Sequence, residues 1–184
     1  MNVIHTILRK SLSTITYSWK SLFPTKGIPV LMYHRINDDH PPGNLDVPIK
    51  NFEEQMNYLA NKGYSTLSIE KFYAILLTTR YERYKDKIIL LTFDDGWKDN
   101  YTNAFPILKK NSFTATIFII CNTVENKHKY PEYLSKNEIF KMQQYGIEFG
   151  SHTFNHKELP TLNEQGAKNE IVISKIYLEK LLSQ

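Results

Sequence analysis

Between Lys87 and Phe93 the chain is apolar almost without interruption, and it then runs directly into Asp94-Asp95-Gly96. A compact apolar run bounded by turn residues fits a buried β-strand, and this one delivers two adjacent carboxylates at its C-terminal end. Similar runs recur along the chain. Ile28 to Tyr33 is a compact strand followed by a polar, Pro-containing loop from Arg35 to Pro48. Tyr64 to Leu67 is a short strand, Phe113 to Ile120 is β-branched and aromatic, and Ile147 to Gly150 is a fifth strand. Helix signatures lie between them. Asn51 with Glu54 makes a capping-box-like start for a helix reaching Lys62, where Gly63 stops it, and Ser68 can cap a helix to about Leu77. Residues 100–110 read as helical despite Pro106. Ser135 with Glu138 repeats the capping box before a helix ending at Tyr145 and Gly146, and Asn163 to Leu182 closes the chain as a helix. Strands alternating with helices at this spacing predict an α/β fold: a parallel sheet with right-handed crossovers, doubly wound or closed into a barrel.

Three polar clusters fall just past the ends of these strands: His34 after the first, Asp94 and Asp95 after the third, His152 and His156 after the fifth. In parallel α/β folds the C-terminal strand ends share one face, and active sites form there. Adjacent aspartates at a strand end point in different directions, so one can bind a metal while the other accepts a proton from water. Gly96 lets the backbone turn sharply. Two imidazoles and one carboxylate leave coordination positions open, the arrangement of a catalytic metal site. Taken singly, Asp-Asp-Gly is often only a turn, and His-x-x-x-His needs a third group before it ligates. Their placement at equivalent ends of two strands predicts a metal site, with zinc, cobalt, nickel and manganese all compatible with the donors. His5, His40 and His128 have no such support and read as surface residues. The single Cys121 excludes an intrachain disulfide and reads as a small buried hydrophobe.

The formal charge of +4 is unevenly placed, because residues 1–26 hold Arg9, Lys10, Lys20 and Lys26 and no acid. The remainder is neutral, which argues against a nucleic-acid-binding surface. Ile4, Leu8, Leu12, Ile15, Trp19 and Leu22 fall on one helical face, so residues 1–26 read as a basic amphipathic helix. Peripheral membrane contact is one reading of such a helix and packing on the domain is the other; its acid-free, Ser-rich start also resembles an organellar transit peptide. No apolar run reaches the roughly 18 residues of a membrane span, and charged and hydroxyl residues interrupt any signal-peptide core. Cytoplasmic or peripheral-membrane placement is favoured on these grounds. Residues 23–27 form a hinge to a domain covering 27–184.

Thr92-Phe93-Asp94-Asp95-Gly96 and Ser151-His152-Thr153-Phe154-Asn155-His156 resemble the first two motifs of the NodB-homology polysaccharide deacetylases, carbohydrate esterase family 4. The resemblance runs from about Ile28 to the end of the chain and includes Phe113-Thr114-Ala115-Thr116-Ile117-Phe118. It implies a deformed (β/α) barrel and a divalent metal, zinc first among the candidates, held by Asp95, His152 and His156. It also implies Asp94 as general base in removing an N- or O-acetyl group from an acetylated polysaccharide or oligosaccharide. Val30-Leu31-Met32-Tyr33-His34-Arg35-Ile36 resembles the start of the poly-β-1,6-N-acetylglucosamine deacetylase branch, which implies His34 as general acid. That pattern continues with a strand bearing Tyr-Pro or Arg-Pro-Tyr, which is not found after Leu182; Tyr130-Pro131 lies too early to be it. The expectation is therefore a C-terminally truncated, incomplete barrel of five strands. The first expectation is still a deacetylase, and the alternative is an inactive fragment that binds metal or glycan without catalysis, or one that depends on a second chain to complete the barrel.

Overall fold

The computed structural model describes residues 28–39, 45–77 and 87–183. The amphipathic segment 1–26, His5 and His40 lie outside them. Strand β1 (Val30–Tyr33) is followed by a two-residue parallel ladder of β2 (Arg35–Ile36) on β3 (Asp46–Val47), so part of the expected loop from Arg35 to Pro48 is ordered as sheet. Then come α1 (Ile49–Asn61), β4 (Ser65–Leu67), α2 (Ile69–Leu76) and β5 (Ile88–Phe93). A π-helical turn over Asn100–Ala104 leads into α3 (Phe105–Lys110), β6 (Thr116–Ile119) and the short α4 (Cys121–Glu125). The chain continues through α5 (Lys136–Tyr145), β7 (Glu148–Ser151), a 3-10 turn at Leu159–Thr161 and α6 (Glu164–Leu182).

Strands β1, β4, β5, β6 and β7 form one all-parallel sheet flanked by helices, as the alternating pattern predicts. Strand β5 is its spine. All six of its residues are buried, which a strand covered on both faces requires. Along one edge it pairs with β1, from Val30 opposite Leu90 to Tyr33 opposite Phe93. The other edge is shared. Strand β4 takes the first half, through Leu67 opposite Leu90, and β6 takes the second, with Thr92 opposite Thr116 and Phe93 opposite Ile117. The sheet therefore splits around β5, and a bond from the Thr114 amide to Thr66 Oγ1 (2.7 Å) stitches the split together. Among the described residues β7 is a terminal strand and the barrel stays open.

The core lies between the sheet and the helices. Phe52 and Met56 of α1, Leu91 and Phe93 of β5, Ile117 and Ile119 of β6, and Ile139 and Met142 of α5 are fully buried. Each such side chain contributes about 1.5–3 kcal/mol relative to exposure. Tyr33, Phe52 and Phe93 meet ring to ring with centroids 5.1–5.9 Å apart, anchoring α1 under the ends of β1 and β5. Cys121 is buried as expected, and burial pushes its thiol up to about 12.

Local signals held at most helix ends. Ser68 Oγ accepts the Lys71 amide, Ser135 and Glu138 form the full capping box, Asn163 Oδ1 accepts the Gly166 amide, and Gly146 ends α5 in the left-handed region. The Asn51 cap is overturned. Helix α1 begins three residues earlier, behind Pro48, because Asp38 reaches across to accept the Ile49 amide (3.1 Å) and removes the need for a local cap. Pro106 is accommodated at the start of α3, directly behind the π-helical turn over Asn100–Ala104, where the regular α-helical hydrogen-bond ladder is already interrupted. Strand β6 is shorter than the run from Phe113 because the Phe113 and Thr114 amides are taken by Leu108 O and Thr66 Oγ1 rather than by a neighbouring strand.

Candidate metal centre

The register sets Tyr33, Phe93, Ile117 and Phe149 side by side across four strands, so whatever follows them emerges at one rim. His34 follows β1, Asp94 and Asp95 follow β5, and His152 follows β7. Sequence reading expected all five residues here, and the fold brings them together.

At the end of β5 the backbone turns through two consecutive left-handed residues, Asp95 (φ 72°) and Gly96 (φ 77°). The second must be glycine, since a Cβ there would lie 2.7 Å from Ile119 Cγ2. A non-glycine residue in that region is uncommon and held by its surroundings. The Asp94 amide donates to Tyr33 O (2.9 Å) and the Leu134 amide donates to Gly96 O (2.9 Å), clamping the turn from both sides. The two carboxylates consequently part company.

Asp95 is buried, at 7% exposure. Its Oδ2 accepts from Trp97 Nε1 (3.0 Å), which fixes the carboxylate plane. Among the described residues its Oδ1 has no hydrogen-bond partner, and it lies 3.4 Å from His152 Nε2 and 3.3 Å from His156 Nε2. The ligand atoms of the three residues all fall within 4.8 Å of one another. Tetrahedral zinc at its usual bond lengths separates neighbouring donor atoms by about 3.3–3.4 Å. An orphaned buried carboxylate oxygen facing two imidazole nitrogens at that spacing fits a bound divalent cation. Burial lowers the pKa of His152, against the opposing pull of Asp94 and Asp95, and so favours the neutral imidazole a metal needs.

Asp94 stands apart from this group. Its Oδ2 lies 3.9 Å from His34 Nε2, too far for a direct hydrogen bond, with both side chains about one-sixth exposed. The carbonyl of His34 accepts from Asn100 Nδ2 (2.8 Å), which ties this residue to the turn before α3. His128 is exposed and outside the cluster.

Sequence reading missed the residues that hold this set in place. Trp97 is gripped between the Tyr133 ring and the Arg35 guanidinium, each 4.3 Å from its ring centre, so neither face is free to stack on a ligand and its work here is to hold Asp95. Its position next to Gly96 was the available clue. Glu170 of α6 binds the loop between the two histidines, and no local signal marked it within that helix.

A parallel α/β sheet with a His, His, Asp centre on its C-terminal rim defines a class of candidate metalloprotein, and comparison with known proteins narrows it. Residues 81–184 match the family model described as polysaccharide deacetylase, and the chain belongs to that family. It is 38% identical over 170 residues to the Bacillus subtilis protein YxkH, covering 92% of this chain and 57% of that one. It is 32% identical over 124 residues to a Staphylococcus aureus poly-β-1,6-N-acetyl-D-glucosamine N-deacetylase, covering 66% of this chain and 41% of the relative. Among solved structures, the Streptococcus pyogenes deacetylase PplD, crystallised with acetate, superposes with a TM-score of 0.77 at 35% identity over 85% of this chain and 70% of that one. The chain thus spans roughly half the length of these two curated relatives.

Proposed function

We propose that this chain carries the catalytic centre for metal-dependent deacetylation of an N-acetylated polysaccharide, with the orphaned Asp95 Oδ1 facing His152 and His156 as the observation that carries the reading. Zinc is the proposed ion, on the donor set and its spacing. When bound, it supplies Lewis acidity, making a nearby water easier to deprotonate and opposing negative charge on the acetyl oxygen. Asp94 accepts the proton from the attacking water as the new carbon–oxygen bond forms. His34, on the other side of a 3.9 Å gap, gives a proton to the departing sugar nitrogen as the carbon–nitrogen bond breaks. The products are acetate and a free amine. Membership of the family and the name of the Staphylococcus relative support a polymer of N-acetylglucosamine as substrate, β-1,6-linked first.

The test is acetate release from β-1,6- and β-1,4-linked N-acetylglucosamine oligomers. Chelator-stripped protein is expected to be silent, and one equivalent of zinc to restore turnover. Zinc-loaded protein that binds oligomer yet releases no acetate would favour the other reading, a fragment that binds metal and glycan without catalysis.

A further inference from the structure

The loop from His152 to His156 contains neither glycine nor proline, yet it takes a shape that ordinary residues avoid. Thr153 and His156 both have left-handed backbone angles, φ 66° and 60°. A β-branched residue in that region is a genuine outlier and needs its surroundings to impose it. Part of the restraint is local: Ser151 Oγ accepts the Thr153 amide (3.1 Å) and Thr153 Oγ1 accepts the His156 amide (2.9 Å). On one side, the amides of Cys121 and Asn122 at the start of α4 donate to the carbonyls of Thr153 (3.3 Å) and Phe154 (2.9 Å). On the other side stands Glu170.

Glu170 is 6% exposed, and among the described residues its hydrogen-bond donors all come from this loop. Oε2 accepts the consecutive amides of Phe154 (3.0 Å) and Asn155 (2.7 Å), and Oε1 accepts Asn155 Nδ2 (2.8 Å). Burying a carboxylate is costly unless it is well hydrogen-bonded, and here every bond is spent on the segment joining two candidate ligands. An apolar side chain in its place would leave both amides without an acceptor.

We infer that Glu170 is a positioning residue for the metal centre, holding the His152–His156 loop in its ligating shape before an ion arrives. This rests on the reading of Asp95, His152 and His156 as ligands. Residues that orient metal ligands without touching the metal typically account for 10–100-fold in affinity. Pre-organisation is how Glu170 exerts that effect, because the ion then meets a loop already bent.

The experiment is titration of the metal-stripped full chain with Co²⁺, read by its visible absorption and by competition with a chromophoric chelator, well below each variant's melting temperature. Glu170→Ala is expected to lose about 10–100-fold in affinity and to change the absorption envelope. Glu170→Gln keeps one oxygen for the two amides and is expected to lose less. Leu181→Val, a buried change eleven residues further along the same helix, is expected to lower the melting temperature while leaving Co²⁺ affinity at the wild-type value. Wild-type affinity and an unchanged spectrum in folded Glu170→Ala, or in Glu170→Gln should the alanine variant not fold, would overturn the inference and leave the ligand reading standing. Failure of the wild-type chain to bind Co²⁺ would overturn both.

Discussion

Asp94→Asn is expected to lower acetate release by about 10²–10⁴-fold, the range that a positioned general base contributes, while costing zinc affinity less than the roughly 10–100-fold lost with residues that orient metal ligands, since Asp94 is not among the grouped ligands. The substitution is nearly isosteric and keeps the hydrogen bond that the backbone amide of residue 94 donates to Tyr33 O, which anchors the turn. What it removes is the capacity to accept a proton next to the metal centre. The expected signature is thus a fall in kcat at full metal occupancy. A fall that disappears when zinc is raised would instead assign Asp94 to the ligand set, and activity that survives the change would sink the mechanism.

Asp95→Ala has the second large effect, and the opposite signature. Removing one of three protein donors is expected to cost at least about a hundredfold in metal affinity, because residues that merely orient ligands already cost 10–100-fold. Activity at limiting zinc should vanish with it, and the zinc-induced rise in melting temperature should shrink in step, as binding to the folded state alone stabilises by mass action. His152→Ala should behave alike. Isothermal titration with zinc checks both. Adjacent residues in one Asp-Asp-Gly turn would then separate cleanly, one failing in turnover and the other in binding.

That Asp94 and Asp95 would face different ways was expected from the sequence, although a left-handed turn at Asp95 and Gly96 parts them rather than strand alternation, and the parallel topology brings His152 and His156 to the same rim as expected. Most helix limits were legible too: Ser68, Ser135, Gly146 and Asn163 act through bonds within a few residues of themselves. The start of α1 was not, because its first amide is satisfied by Asp38, eleven residues away. The splitting of the sheet around β5 also depends on long-range pairing that no local pattern encodes. At the site, the candidate ligands and the candidate base announced themselves by type and spacing. Those that hold them did not. Trp97 and Glu170 act through a single indole N–H and a single carboxylate, each on an element whose own pattern is ordinary.

The most direct test of the metal centre is an anomalous difference map from crystals grown with zinc, collected on both sides of the zinc absorption edge. The account predicts a peak at bonding distance from Asp95 Oδ1, His152 Nε2 and His156 Nε2, with Asp94 alongside and not coordinated. A zinc-replete crystal with no peak among these three atoms, or with its peak on Asp94 and His34 instead, would contradict it.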